Sequence, residues 1–175
     1  KLNTYTINLN AVGGNVENNI IEVDYNGDII LPTPTKAGCV FDGWYMNGSL
    51  FTAQIYNFDY NITISAKWIT TAYTITYNLN GGTATNQMGY NVESGTIVLE
   101  NPTKKGYTFI GWSGTDIDGK SMTVTIEKGS IGNRSYEAHW QINTYTITLD
   151  ANSGCVEKDN FDVVYETNVE LPTPT

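Results

Sequence analysis

Three stretches of this chain restate one another. Tyr5-Thr6-Ile7, Tyr73-Thr74-Ile75 and Tyr145-Thr146-Ile147 each open a run whose landmarks recur at offsets of 68 and 140 residues. Gly14 returns as Gly82 and Gly154, Leu31 as Leu99 and Leu171, and Pro34 as Pro102 and Pro174. Self-similarity over this length marks a tandem array of one small fold, so function is sought in the array as much as in any single site. The spacing sets repeat units at residues 1–72, 73–144 and 145–175, the last carrying only the first part of the pattern.

The first two copies also share Gly38 with Gly106, Phe41 with Phe109, Gly43 with Gly111 and Trp44 with Trp112. Beyond that point they differ in length: Trp68 follows Trp44 by 24 positions, and Trp140 follows Trp112 by 28. Length change is tolerated in surface connections, which places a variable loop between the two tryptophans of each copy. Lys1-Leu2-Asn3-Thr4 corresponds to Gln141-Ile142-Asn143-Thr144, and this register predicts a segment cut from a longer array. No apolar run reaches the 18 residues of a membrane-spanning helix, so no membrane insertion is expected.

Within a unit, Tyr5, Ile7 and Leu9 alternate with Thr6 and Asn8, the period of a half-buried strand. Ile21, Val23 and Tyr25 predict a second strand that stops at Asn26-Gly27-Asp28. The prolines of Leu31-Pro32-Thr33-Pro34-Thr35 remove ladder donors and predict an extended connector. Third strands are expected over Cys39–Tyr45 and Tyr107–Trp112, and closing strands over Ile62–Trp68 and Ser135–Trp140. Gly43 and Gly111 inside the third strands signal a bulge that turns the following indole inward. Ser49–Asp59 suits a short helical turn, whereas Met122–Ile126 reads as extended, and whether both copies carry a helix is left open.

A unit of about 70 residues buries only about 60% of its unfolded surface. Large aromatics answer that difficulty, since a buried Trp removes roughly 150–250 Å² from water, or about 4–6 kcal/mol as an upper bound. The expected core of the repeats is therefore Tyr5, Ile7, Phe41, Trp44 and Trp68 in the first, and Tyr73, Ile75, Phe109, Trp112 and Trp140 in the second. The competing reading of the four tryptophans is a stacking platform for sugars. Core residues repeat between copies where ligand residues vary, and that favours the core.

The surface holds little assembled chemistry. Eighteen acidic against nine basic residues give a net charge of −9, which argues against nucleic acid or an anionic membrane as partner. Cys39 and Cys155 occupy different places in the repeat, so no bridge recurs; Cys39 reads as a core substitution and Cys155 as a free loop thiol. His139 is the single histidine and aligns with Lys67, an outward strand position without a recurrent partner for nucleophile chemistry. Asp116-Ile117-Asp118-Gly119 resembles the start of a calcium loop, but Lys120 and Met122 take ligand places, which makes it a plain turn. Asn61-Ile62-Thr63 fits a glycosylation acceptor and carries little weight. No catalytic residue, cofactor or metal is expected.

The combination of Tyr73-Thr74-Ile75, Gly81-Gly82, Asn101-Pro102-Thr103-Lys104, Gly106-Tyr107-Thr108-Phe109-Ile110-Gly111-Trp112 and Tyr136-Glu137-Ala138-His139-Trp140 resembles the Listeria-Bacteroides repeat, which is similar to the B repeat of internalin B. The resemblance covers two complete units and the start of a third. It implies a compact β-grasp-like unit, a β-rich α+β fold strung in tandem along bacterial surface or secreted proteins, and it brings no catalytic residues. Cys39 departs from its usual tyrosine, and Ala11-Val12 precede Gly13-Gly14.

Ile69–Ala72 and Gln141–Thr144 are equal, short connections without Gly, Pro or Ser, each reaching at most about 14 Å. They predict a semi-rigid, elongated rod of small units, and hence a stalk that holds a functional domain away from the envelope. The alternative is an adhesin module that binds a host protein or glycan through exposed strand edges and tyrosines. The third stretch lacks the strands that would cover Tyr145, Ile147, Leu149, Val163 and Tyr165, so pairing with a neighbouring repeat or another molecule is expected there.

Overall fold

A computed structural model describes residues 3–173, so Lys1-Leu2 and the third recurring proline, Pro174, lie outside it. Thirteen strands and no helix occur among the described residues. The first repeat begins with β1 (Thr4–Asn10), where Ile7 and Leu9 point into the core and the polar residues between them face out. It pairs antiparallel with β2 (Ile20–Asp24) in the register Thr6↔Glu22 and Ile7↔Ile21. The chain reverses after β2 through Asn26, at φ 64°, and the Gly27 N–H donates to the Asp24 carbonyl.

The proline segment then crosses over without joining a sheet, and Thr35 at its end forms an isolated bridge with Asn15. It delivers β3 (Cys39–Met46), β4 (Ser49–Leu50) and β5 (Ile62–Thr70). The closing strand β5 inserts between β1, to which it is parallel, and β3, to which it is antiparallel, giving the order β2-β1-β5-β3-β4. Ile62, Ile64 and Ala66 of β5 thereby line the same interior as Ile7, Leu9, Val23, Trp44 and Tyr56.

The second repeat copies this frame. Strands β6 (Tyr73–Asn78), β7 (Gly89–Tyr90), β9 (Tyr107–Gly114) and β11 (Arg134–Ile142) form a sheet in the order β7-β6-β11-β9. Its central pair, β6 and β11, is again parallel. Short strands β8 (Ile97–Val98) and β10 (Thr125–Ile126) pair apart from that sheet. In the third stretch β12 (Thr144–Thr148) and β13 (Asn160–Val164) make an antiparallel hairpin.

The α component expected of these units is absent from the described residues. Over 49–59 the backbone groups find partners elsewhere in the chain instead of in the next turn of a helix: Phe51 N–H donates to the Trp44 carbonyl, Tyr56 N–H donates to the Gly27 carbonyl, and the Tyr56 carbonyl accepts the Asn26 N–H beside the Asp28↔Ile55 bridge. Tyr56, Phe58 and Tyr60 follow one another at every second position, with Phe58 packed on Phe51, Tyr56 and Tyr60. The fold is β-rich throughout.

By packing, the chain divides into two compact units. The first combines the first repeat, through Tyr73, with Gly89–Gly95 and Glu127–Gly132; the second combines Thr74–Met88, Thr96–Ile126 and the chain from Asn133 onward.

Candidate functional site: an indole cluster built twice

Each repeat centres on one phenylalanine and two tryptophans. Phe41 meets Trp44 and Trp68 edge-on at 5.5 and 5.6 Å, and Phe109 meets Trp112 and Trp140 edge-on at 5.4 and 5.5 Å. Trp44 and Trp112 are buried at 4% and 0% exposure; Trp68 and Trp140 are half-buried beside them. Every indole N–H has an acceptor. Trp68 Nε1 donates to the Ala11 carbonyl at 2.9 Å and Trp140 Nε1 to the Leu79 carbonyl at 3.0 Å, one bond in two copies. Trp44 Nε1 reaches the Pro32 carbonyl at 3.0 Å, and Trp112 Nε1 the Asn101 side-chain oxygen at 3.2 Å.

The closing indole explains the second glycine of each recurring pair. A Cβ at Gly14 would lie 2.5 Å from Trp68 Cζ2, and one at Gly82 would lie 2.3 Å from Trp140 Cζ2. Lys36 and Lys104 close the other side of the turn: their ammonium groups donate to the carbonyls of Val12 and Asn80 at 3.1 and 2.9 Å, and stand 5.8 and 6.0 Å from the Trp68 and Trp140 rings. The Gly-Gly turn, the lysine and the final tryptophan are thus one device. No buried side-chain polar atom among the described residues lacks a partner.

Ile7 and Ile75 are fully buried, and Tyr5 and Tyr73 half-buried. Tyr5 stacks on Tyr56 at 5.7 Å, and Tyr73 tilts against Tyr90 at 5.5 Å. Tyr56 and Tyr90 escape a comparison of the copies because they fill one role from different places in the repeat. Tyr56 follows β4, whereas Tyr90 sits in β7. Their hydroxyls nevertheless do the same work, donating to the Tyr60 and Gly132 carbonyls at 2.6 Å each. The available signal is an unmatched tyrosine in each copy. Tyr77 is another such position: burial, and secondarily the neighbouring Tyr136, push its phenol up to about 12.

The outer sheet faces carry isolated pairs. Lys67 lies 3.2 Å from Asp42, and Tyr45 O–H donates to Asp42 at 2.9 Å. The Tyr45 hydrogen bond and then Lys67 hold the Asp42 carboxyl below the ordinary range, while Asp42 and then Tyr45 raise the Lys67 ammonium. His139 stands at the matching place in the second repeat, its Nε2 2.7 Å from Ser113 Oγ. Asp116, at φ 60°, pairs with Arg134 in a turn. Asn61 accepts the Thr6 N–H at 2.9 Å, as Asn133 accepts that of Thr74 at 3.0 Å. Cys39 is half-buried, Cys155 is exposed and both are free. No grouping of His, Cys, Asp and Glu that could hold a metal occurs among the described residues. A shallow groove of about 330 Å³, lined by Tyr77, Leu79, Ala84, Thr85, Asn86 and Met88, holds none of the indoles.

The family model of the Listeria-Bacteroides repeat domain matches residues 5–69 and again 73–135. A Gly-rich membrane protein of Evansella cellulosilytica is 28% identical over 99% of this chain and 20% of its own length. A second membrane protein of that organism is 28% identical over 99% of the chain and 26% of itself. Internalin H of Listeria monocytogenes is 31% identical over 70% of the chain and 23% of itself. The chain therefore spans about a fifth to a quarter of the length of these relatives. No solved structure matches.

Proposed function

Since this chain belongs to the Listeria-Bacteroides repeat domain family, we propose that it is a non-catalytic spacer region of a bacterial cell-surface or secreted protein, its units strung as an elongated rod that projects a functional domain from the envelope. The single observation that carries this reading is the duplicated indole cluster. The recurring residues are spent on the interior, and no indole is exposed. The short connections support stiffness: two residues separate β5 from β6, and Asn143 alone separates β11 from β12.

The sheet order β2-β1-β5-β3-β4, with its parallel central pair, supports a β-grasp-like strand arrangement built without a helix. The adhesin alternative draws support from exposed tyrosines such as Tyr60 and Tyr145, at 57% and 49% exposure. Small-angle scattering of the chain tests the spacer. A compact body of this size has a radius of gyration of about 16 Å. The rod requires a clearly larger value, about 22 Å for a cylinder of about 70 Å. A value near the compact one sinks the spacer reading, and saturable binding to a glycan array lost with Tyr60→Ala or Tyr145→Ala replaces it with the adhesin.

A further inference from the structure

We propose that Gly106 is the seat of a joint between successive repeats, and that a side chain just past the second strand of the following repeat is its plug. In the second compact unit Gly106 is buried at φ 75°, and a Cβ there would lie 2.1 Å from Tyr165 Cδ1. The Tyr165 ring also meets Tyr107 edge-on at 6.0 Å. Asn143, the one residue between β11 and β12, ties both sides together. Its N–H donates to the Gly106 carbonyl, and its own carbonyl accepts the Tyr165 N–H, both at 2.9 Å. Thr108 Oγ1 donates to its side-chain oxygen at 2.6 Å.

The first compact unit holds an independent version. Gly38, at φ 67°, would set a Cβ 2.0 Å from Val92 Cγ1 and 3.0 Å from Ile131 Cγ2, and its carbonyl accepts the Thr71 N–H at 2.9 Å. Asn91 Nδ2 reaches Thr70 Oγ1 at 3.4 Å. Glu93 stands where Tyr165 does in the repeat, so the neighbouring Val92 covers the glycine instead, joined by Ile131 from the segment that the insertion lengthened. The seat and its backbone bond persist while the plug changes. A turn alone does not require that. Asn tolerates a positive φ better than most side chains do, and the plug stands where its Cβ would lie. The joint gives the spacer reading a physical basis for stiffness, and it rests on that reading only for its purpose: scattering tests the spacer, amide exchange tests the joint.

The deciding variant in the whole chain is Gly106→Asn, read by residue-resolved hydrogen exchange. Gly119→Asn serves as control, since that glycine has φ 73° and nothing within 4 Å of its would-be Cβ. The joint predicts that Gly106→Asn accelerates exchange at the Asn143 and Tyr165 amides by about tenfold or more, with Ala138 in the core unchanged and the control silent. A folded Gly106→Asn protein with normal exchange at both amides overturns it. Should that variant fail to fold, Tyr165→Ala and Tyr165→Phe decide: the joint requires Asn143 protection lost in the first and kept in the second, and equal protection in both overturns it.

Discussion

At the scale of single residues, identical amino acids are under opposite constraints, and the closing indole separates them. Gly82 leaves no room for a methyl group because Trp140 Cζ2 would stand 2.3 Å away, whereas Gly95 has nothing within 4 Å, and neither has a positive φ. Gly82→Ala must push the indole off its bond to Leu79, at a cost of about 1–3 kcal/mol. Gly95→Ala only restricts the unfolded chain and stabilises by about 0.4–1 kcal/mol. Urea melts of the two variants therefore move in opposite directions from the parent, and a neutral Gly82→Ala contradicts the packing. Tyr77 yields a pH prediction with a definite sign. Its folded-state phenol titrates at about 12 against an ordinary 10.0. The proton is held more tightly in the folded state, so this contribution is complete below pH 10 and disappears as pH rises through 12. Stability measured by denaturant should fall across that window, and less steeply in Tyr77→Phe.

At the scale of the strand, the glycine before each inner tryptophan resets the alternation. Register slips between Phe41 and Gly43 on β3 opposite β5, and between His139 and Trp140 on β11 opposite β9. Gly43 and Gly111 take φ 147° and 123° there, which lets Phe109 and Trp112 share one face although they stand an odd number of positions apart. A Cβ at Gly111 would also press on Ser121 N and O at 3.2 Å. Gly111→Ala should cost about 1–3 kcal/mol in the second repeat, with blue-shifted Trp emission moving toward the red as Trp112 loses its seat; unchanged emission and stability would show the bulge to be dispensable. The glycine and tryptophan of this bulge were legible in the sequence because they recur at one offset, as were the strands whose apolar residues alternate. The extended path of 49–59 was not. Its aromatics, Phe51, Tyr56 and Phe58, are spaced almost as well for a helix, and the bonds that decide the matter come from Asn26 and Gly27, distant in sequence. Tyr56 and Tyr90 were hidden for a related reason: packing selects a ring at a point in space, and a loop supplies it in one repeat and a strand in the other.

At the scale of the whole molecule, the energetic consequence of duplication is a chain whose stability is a sum of local terms with neighbour couplings. The buried cluster of the first repeat draws only on residues between Tyr5 and Trp68. The second repeat repeats that economy with Ile75, Leu99, Trp112, Tyr136 and Ala138 buried. Removing one inner indole should therefore leave the other core intact. Trp112→Ala deletes a fully buried ring packed on Phe109 and Tyr77, and a loss of about 3–5 kcal/mol is expected from a cavity of that kind. A domain of this size has little more than that in total. Equilibrium unfolding of the variant should accordingly split into two transitions, an early one for the second repeat and a later one for the first. Ring-specific reporters assign them: the remaining emission of Trp140 follows the early step, and that of Trp44 and Trp68 the late one. The glycine joints set how far the late midpoint moves, because unfolding the second repeat strips Val92 and Ile131 from Gly38. A modest downward shift of the late transition is the expected signature of that coupling, and Gly38→Asn should abolish the shift by removing the coupling beforehand. A single transition at a lower midpoint, with all indoles reporting together, would instead make the repeats one cooperative body and the separate cores subordinate to their junction.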